Sequence, residues 1–258
     1  MRTIRSMILG LTISWLLIPA AGTAQTAAEA TAQSDSLADV AFQNAPALEI
    51  LSAAALQYPG TYEILWRLSR TYSDMGAAIN AISDEQKKQQ LELYEKSLVY
   101  ADQSIAANPA GSMGYTRRAI ANGRIALFKG VWESIDMVKG VKADCEKAME
   151  LDKNNSLAIY IYARTHAKVS EKPKLFRWPL GLGWANIDEA IKHFEIAIAL
   201  RPDYIMYRLD AAKAYIEEDE YEKARTHLTA ISTLPKAYQL DDDSRKEAAE
   251  LLEKIKGK

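Results

Sequence analysis

The residues of this 258-residue chain whose types could do chemistry are three histidines, one cysteine and two acidic runs. No His–His or Cys–His pair at helical spacing accompanies His166, His193 or His227, so metal ligation has no second ligand to build on. Catalysis would need one of them, His166 or His193 above all, beside a carboxylate in an open cleft. Cys145 has no neighbour that would activate a thiolate, and as the single cysteine it cannot form an internal disulfide. It reads as an inert core thiol. Gly181-Leu182-Gly183 lacks the third glycine and the preceding strand of a dinucleotide loop, and no Gly-Lys-Ser/Thr phosphate loop occurs. The runs Glu217-Glu218-Asp219-Glu220 and Asp241-Asp242-Asp243 suit solvated turns and helix caps, because a calcium loop needs a longer alternation of ligands and a glycine. The expectation is a protein that is not an enzyme, with no metal and no cofactor.

One spacing rises above this background. A bulky apolar residue is followed four positions later by a base in Trp66/Arg70, Tyr160/Arg164 and Leu209/Lys213, and Ile120/Arg124 is similar but shifted by a turn. Positions four apart share one helix face. Met113 and Met206 extend the apolar part of the same face, as do Thr116, Leu157 and Ser73 by register. Such a face could hold a peptide by its side chains while arginines grip its carboxylates in bidentate fashion. The competing reading packs these residues against long insertions and pairs the bases along their own helix, as Arg70 with Asp74.

Helices must present that face, and composition supplies them. Forty-one Ala against six Val favour helix over strand. Lys and Arg (32) nearly balance Asp and Glu (34), which argues against a strongly basic nucleic-acid binder. The punctuation marks Pro59, Pro109, Lys153 and Pro202 each close an amphipathic run with small residues in fixed slots. The slots hold Ala47/Leu51/Ala54, Ser97/Ala101/Ser104, Val141/Cys145/Ala148 and Ala190/Phe194/Ala197, with Ala224/Leu228/Ile231 as a fifth set. Small residues let paired helices approach closely. A second series, Leu65/Leu68/Ser69/Tyr72, Ile159/Tyr162/Ala163/His166 and Ala211/Ala212/Tyr215, lies between them.

On these residues the chain resembles a tetratricopeptide-repeat (TPR) protein over about residues 45–256. The resemblance implies an all-α, TPR-like superhelix: about four helix pairs with long insertions, an N-terminal half-repeat and a C-terminal capping helix over Arg245–Lys256. The markers lie 50, 44 and 49 residues apart against a usual unit of about 34. Segment 73–90 reads as helical insertion, and segment 168–185 as a loop carrying Phe176, Trp178 and Trp184. The long inserts, the Trp66-Arg67-Leu68 start and the Gly-rich third insertion are similar to the regulator-of-microtubule-dynamics family and its exported bacterial relatives.

The chain begins with Arg2 and Arg5, an apolar stretch over 7–18, Pro19 and small residues around Ala24. That is the pattern of a signal peptide, residues 1–24, with an apolar run shorter than a spanning helix needs; the alternative is that it stays uncleaved and contacts the membrane. Residues 25–36, rich in Ala, Thr, Gln and Ser, read as a flexible linker, and 37–258 as the repeat domain. Localisation is therefore expected to be exported, in the periplasm or cell envelope if bacterial, where the family's microtubule role cannot apply. The leading functional reading is a non-catalytic scaffold binding a protein or peptide on Trp66, Arg70, Met113, Ile120, Arg124, Tyr160, Arg164, Met206 and Lys213. The alternative is a carrier of small apolar or lipid-like ligands in a closed superhelix, with the Trp178/Trp184 loop as lid or membrane contact. Nucleic acid is not expected as a partner.

Overall fold

Ala-rich amphipathic segments fold here into twelve α-helices and no strand among the described residues. The structure, a computed structural model, describes residues 25–258, so the expected signal peptide lies outside the described residues. The helices are α1 (Ala27–Asp35), α2 (Asn44–Gln57), α3 (Tyr62–Ala78), α4 (Asp84–Ala107), α5 (Ser112–Lys129) and α6 (Ile135–Leu151), then α7 (Ser156–Ser170), α8 (Lys174–Arg177), α9 (Ile187–Leu200), α10 (Ile205–Glu217), α11 (Tyr221–Ile231) and α12 (Asp241–Lys254).

Consecutive helices pack as hairpins: α1 with α2, α3 with α4, α5 with α6, α7 with α9, and α10 with α11. The first helices also touch one another in the order α1, α3, α5, α7, α10, α12. They form an inner layer. Each outer helix packs on its partner and on the next inner helix, which is the arrangement of a TPR-like superhelix.

The small slots explain the pairing. All fifteen slot residues are buried, from Ala47 and Leu51 through Cys145 and Phe194 to Ile231. Burial of each larger one contributes about 1.5–3 kcal/mol relative to exposure. The Cys145 thiol is fully buried, and burial pushes its pKa well above the usual range.

The insertions have two fates. The first lengthens a hairpin: α3 has 17 residues and α4 has 24, the latter started by a Ser83–Gln86 capping box. The second folds into α8 and tight turns. Leu182 and Ala185 sink among Ala126, Val138 and Val169. The buried Arg177 guanidinium donates to the carbonyls of Lys172 and Ala185. Trp184 stacks edge-on against His166 at 4.9 Å, whereas Trp178 is 72% exposed.

The segment expected as a linker is a helix. Thr26 accepts from the Glu29 amide while the Glu29 carboxylate accepts from the Thr26 amide, a complete capping box. Ala30 then packs with Leu51, Ala54, Ile64 and Leu68. Its small side chains, which made the segment look like a tether, let it lie close to its neighbours. The N-terminal half-repeat is consequently a full pair, α1/α2. At the other end Asp241, Asp242 and Asp243 form the first turn of α12 rather than preceding it. Ala248 and Ile255 cap the core of α10 and α11.

Candidate functional site: a concave cavity

Inner helices expose one face to the axis of the superhelix, and residues three or four apart on each helix repeat along it. These faces line a cavity of about 830 Å³. Its wall is built in rungs: Trp66, Arg70 and Asp74 from α3, and Met113, Arg117, Ile120 and Arg124 from α5. The next rungs are Leu157, Tyr160 and Arg164 from α7, and Met206, Asp210 and Lys213 from α10. All nine residues named from the sequence as the inner face line this one cavity. Three others placed there by register do not. Leu209 is in the α10/α11 core, Thr116 accepts from Asn155 Nδ2 at 2.9 Å, and the buried Ser73 hydroxyl has no partner.

Of the two readings of the bases, pairing within the protein holds, though not along their own helices in every case: they are tied to carboxylates of the protein itself. Arg70 pairs with Asp35 at 2.9 Å and Asp39 at 2.7 Å, both N-terminal to α2, and not with Asp74 on its own helix. The reason is geometric: α1 lays its C-terminal end and the following turn across α3, and Arg67 joins Asp35 at 2.8 Å. Arg124 reaches Asp74 at 3.6 Å, the Tyr238 hydroxyl at 3.3 Å and the Ser73 carbonyl. Arg164 lies 3.5 Å from Asp210, and Lys213 lies 3.4 Å from Asp210 and 2.9 Å from Glu247. The nearby phenolic oxygen of Tyr160 and the carboxylate of Asp210 push the Arg164 pKa up.

The apolar members are held in turn. Tyr160 donates to Asp210 at 2.7 Å and stacks on Tyr207 at 4.6 Å. Burial raises its phenol well above the usual range. Trp66 donates to Glu63 at 2.8 Å, and its ring is flanked by the guanidiniums of Arg67, Arg70 and Arg117 at 4.0, 5.6 and 5.7 Å. Met113, Leu157 and Met206 are half-buried.

Sequence reasoning missed two parts of the wall. Arg117 follows Met113 by four positions, the same apolar-then-base spacing, and the signal was there to be used. Ala237, Tyr238 and Gln239, between α11 and α12, line the cavity and reach the first repeats. No periodicity marks such a strap. Gln239 donates to the Asp74 carbonyl at 2.6 Å and accepts from Asn44 at 2.9 Å. None of the residues from 172 to 186 lines this cavity, so the Trp178/Trp184 loop is not its lid.

The histidines lie away from the cavity. His166 accepts from the Asn186 amide at 3.2 Å, and His193 Nδ1 is 3.5 Å from Glu189 on its own helix. His227 is 2.9 Å from Glu195, which also accepts from Tyr215 at 2.9 Å. Among the described residues no three His, Cys, Asp or Glu side chains are grouped as a metal would require, and no helix is long and apolar enough to cross a membrane. The arrangement can seat a ligand by shape, stacking and charge.

A layered helical superhelix with a rung-lined inner cavity is a tetratricopeptide-type architecture. A thermophilic TPR protein of Thermus thermophilus superposes with a TM-score of 0.63 at 18% identity, over 87% of this chain and 98% of that one. Residues 30–256 match the family of regulator of microtubule dynamics proteins 1-3, and the chain belongs to it. The bovine regulator of microtubule dynamics protein 1 is 28% identical over 199 residues, covering 74% of this chain and 61% of the bovine one. The rat regulator of microtubule dynamics protein 3 is 27% identical over 219 residues, covering 81% of this chain and 45% of the rat one. The chain thus spans less than two thirds of the length of these relatives.

Proposed function

We propose that the chain is an exported, non-catalytic scaffold that seats a peptide segment of a protein partner in its concave cavity. The observation that carries this is the convergence of Trp66, Met113, Tyr160 and Met206, one from each of four successive inner helices, on a single space. A side chain per rung matches an extended partner read at regular intervals, and aromatic anchors contribute most of the affinity in such interfaces. Export rests on the residue pattern of 1–24, and it sets this chain apart from the microtubule regulation in the names of its relatives.

A mixed-sequence, fluorescently labelled hexapeptide library with amidated ends tests the reading. The protein is expected to bind it, and Trp66→Ala and Met206→Ala are each expected to weaken binding about tenfold, the scale of a lost anchor. Both should keep the circular dichroism of the parent. Undiminished binding by both variants would overturn the peptide seat.

The strap across the cavity favours one other reading, a carrier of apolar molecules. Native mass spectrometry of the exported protein decides it: a copurified lipid-sized adduct supports the carrier, and a bare chain removes it.

A further inference from the structure

Arg70, Arg124, Arg164 and Lys213 each meet a protein carboxylate on the cavity wall. Arg117 does not. It stands in the middle of α5, between Met113 and Ile120, and is only 9% exposed. Its Nε has no hydrogen-bond partner. The carboxylates that face it, Asp74 and Asp39, act on it through space without a hydrogen bond or ion pair; Arg124 engages the first and Arg70 the second. Burial pushes its pKa down to about 10, and a neighbouring positive charge, Arg70, acts in the same direction. The group is still a cation at neutral pH.

A buried cation without a counter-ion lowers stability, and a purely structural side chain at this place would be apolar or paired. The guanidinium is instead kept in the wall of the cavity, against the Trp66 ring. An arginine so placed has unused donors in a planar fork that fits a carboxylate.

We infer that Arg117 is the anion anchor of the cavity: it receives a carboxylate of the bound peptide, from an acidic side chain or from the chain terminus. This inference rests on the reading of the cavity as a peptide seat, and it adds the chemistry of the segment that is seated. The apolar side chains beside the carboxylate would lie on Trp66, Met113 and Ile120.

Three hexapeptide libraries test it on the full protein: one neutral with amidated ends, one neutral with free carboxyl ends, and one amidated with a single glutamate. At least one anionic library is expected to bind about tenfold or more tighter than the neutral amide, the scale of a charge-assisted hydrogen bond. Whichever does so identifies the source of the carboxylate. The preference should vanish in Arg117→Gln while the neutral amide still binds. Arg117→Met should also raise the melting temperature, an effect opposite to that of removing a structural arginine. Equal binding of all three libraries by the parent protein overturns the anchor and leaves the seat standing, and it needs no variant to fold. Failure of all three to bind overturns the seat, and the anchor with it.

Discussion

Tyr238 and Asp74 lie 164 positions apart in the chain, and the tyrosine hydroxyl donates to the aspartate carboxylate at 3.1 Å. Arg124 sits between them, touching both. The contact joins the strap after α11 to the inner helix of the second pair. It lays the strap along the cavity, and Asp74 supplies a counter-charge to a cationic side chain in the wall. Tyr238→Phe removes two hydrogen bonds to charged groups, the one donated to Asp74 and the one accepted from Arg124, and is expected to cost at least about 1.5–3 kcal/mol in urea unfolding. Asp74→Ala leaves Arg124 without its carboxylate and should cost more, about 3–5 kcal/mol, to the extent that Arg124 stays out of water. In both variants, amide exchange over residues 234–240 should accelerate before that of the outer helices.

The second prediction concerns α1. Asp35 ties it to Arg67 and Arg70, and Ala30 packs it into the first core. Asp35→Ala leaves Arg70 its contact with Asp39 but frees the end of the helix. A loss of about 1–3 kcal/mol is expected, with faster proteolysis between residues 36 and 43. Indifference of both measurements would mean that α1 is not docked in solution.

His166 gives the third. Burial pushes its imidazole down to about 4, against about 6.5 in an unfolded chain. Tyr162 and Trp184 pack on the ring, and the Asn186 amide donates to it. The folded state therefore holds the neutral form, and the unfolded state takes up the proton first as pH falls. Its contribution is fully present above about pH 6.5 and is lost progressively down to about pH 4, by at most about 3 kcal/mol. Urea midpoints measured across that window should fall less steeply in His166→Phe than in the parent.

A fourth contrast separates the two tryptophans of the long loop. Trp184→Ala removes a packed ring from the cluster around Leu182 and should cost about 2–4 kcal/mol, somewhat below the value for a fully buried ring. Trp178 is exposed, and Trp178→Ser should stay within about 0.5 kcal/mol of the parent in thermal unfolding.

The inner and outer helix faces were legible because helical periodicity writes them into the sequence. The slots Ala190/Phe194/Ala197 and the rungs Trp66/Arg70 follow from spacing alone, and the structure puts the first inside the hairpins and the second on the cavity. What spacing does not carry is the identity of partners. Arg70 had a carboxylate four residues along its own helix, yet its ion pairs come from Asp35, on a segment whose small side chains resemble those of a linker, and from Asp39 just after it. The strap at Tyr238 was illegible for a related reason: it has no period, and its meaning lies in contacts with residues more than a hundred positions away. Arg117 was legible and overlooked, since it follows Met113 by the same four positions as the others.

In an open array each repeat leans only on its neighbours, so the ends can melt one unit at a time. Here Asn44 and Asp74 near the beginning hold Gln239 and Tyr238 near the end. The strap thus couples the first two helix pairs to the last. The repeats should accordingly unfold together in one cooperative transition, and the contact across 164 positions should be among the last to form on folding.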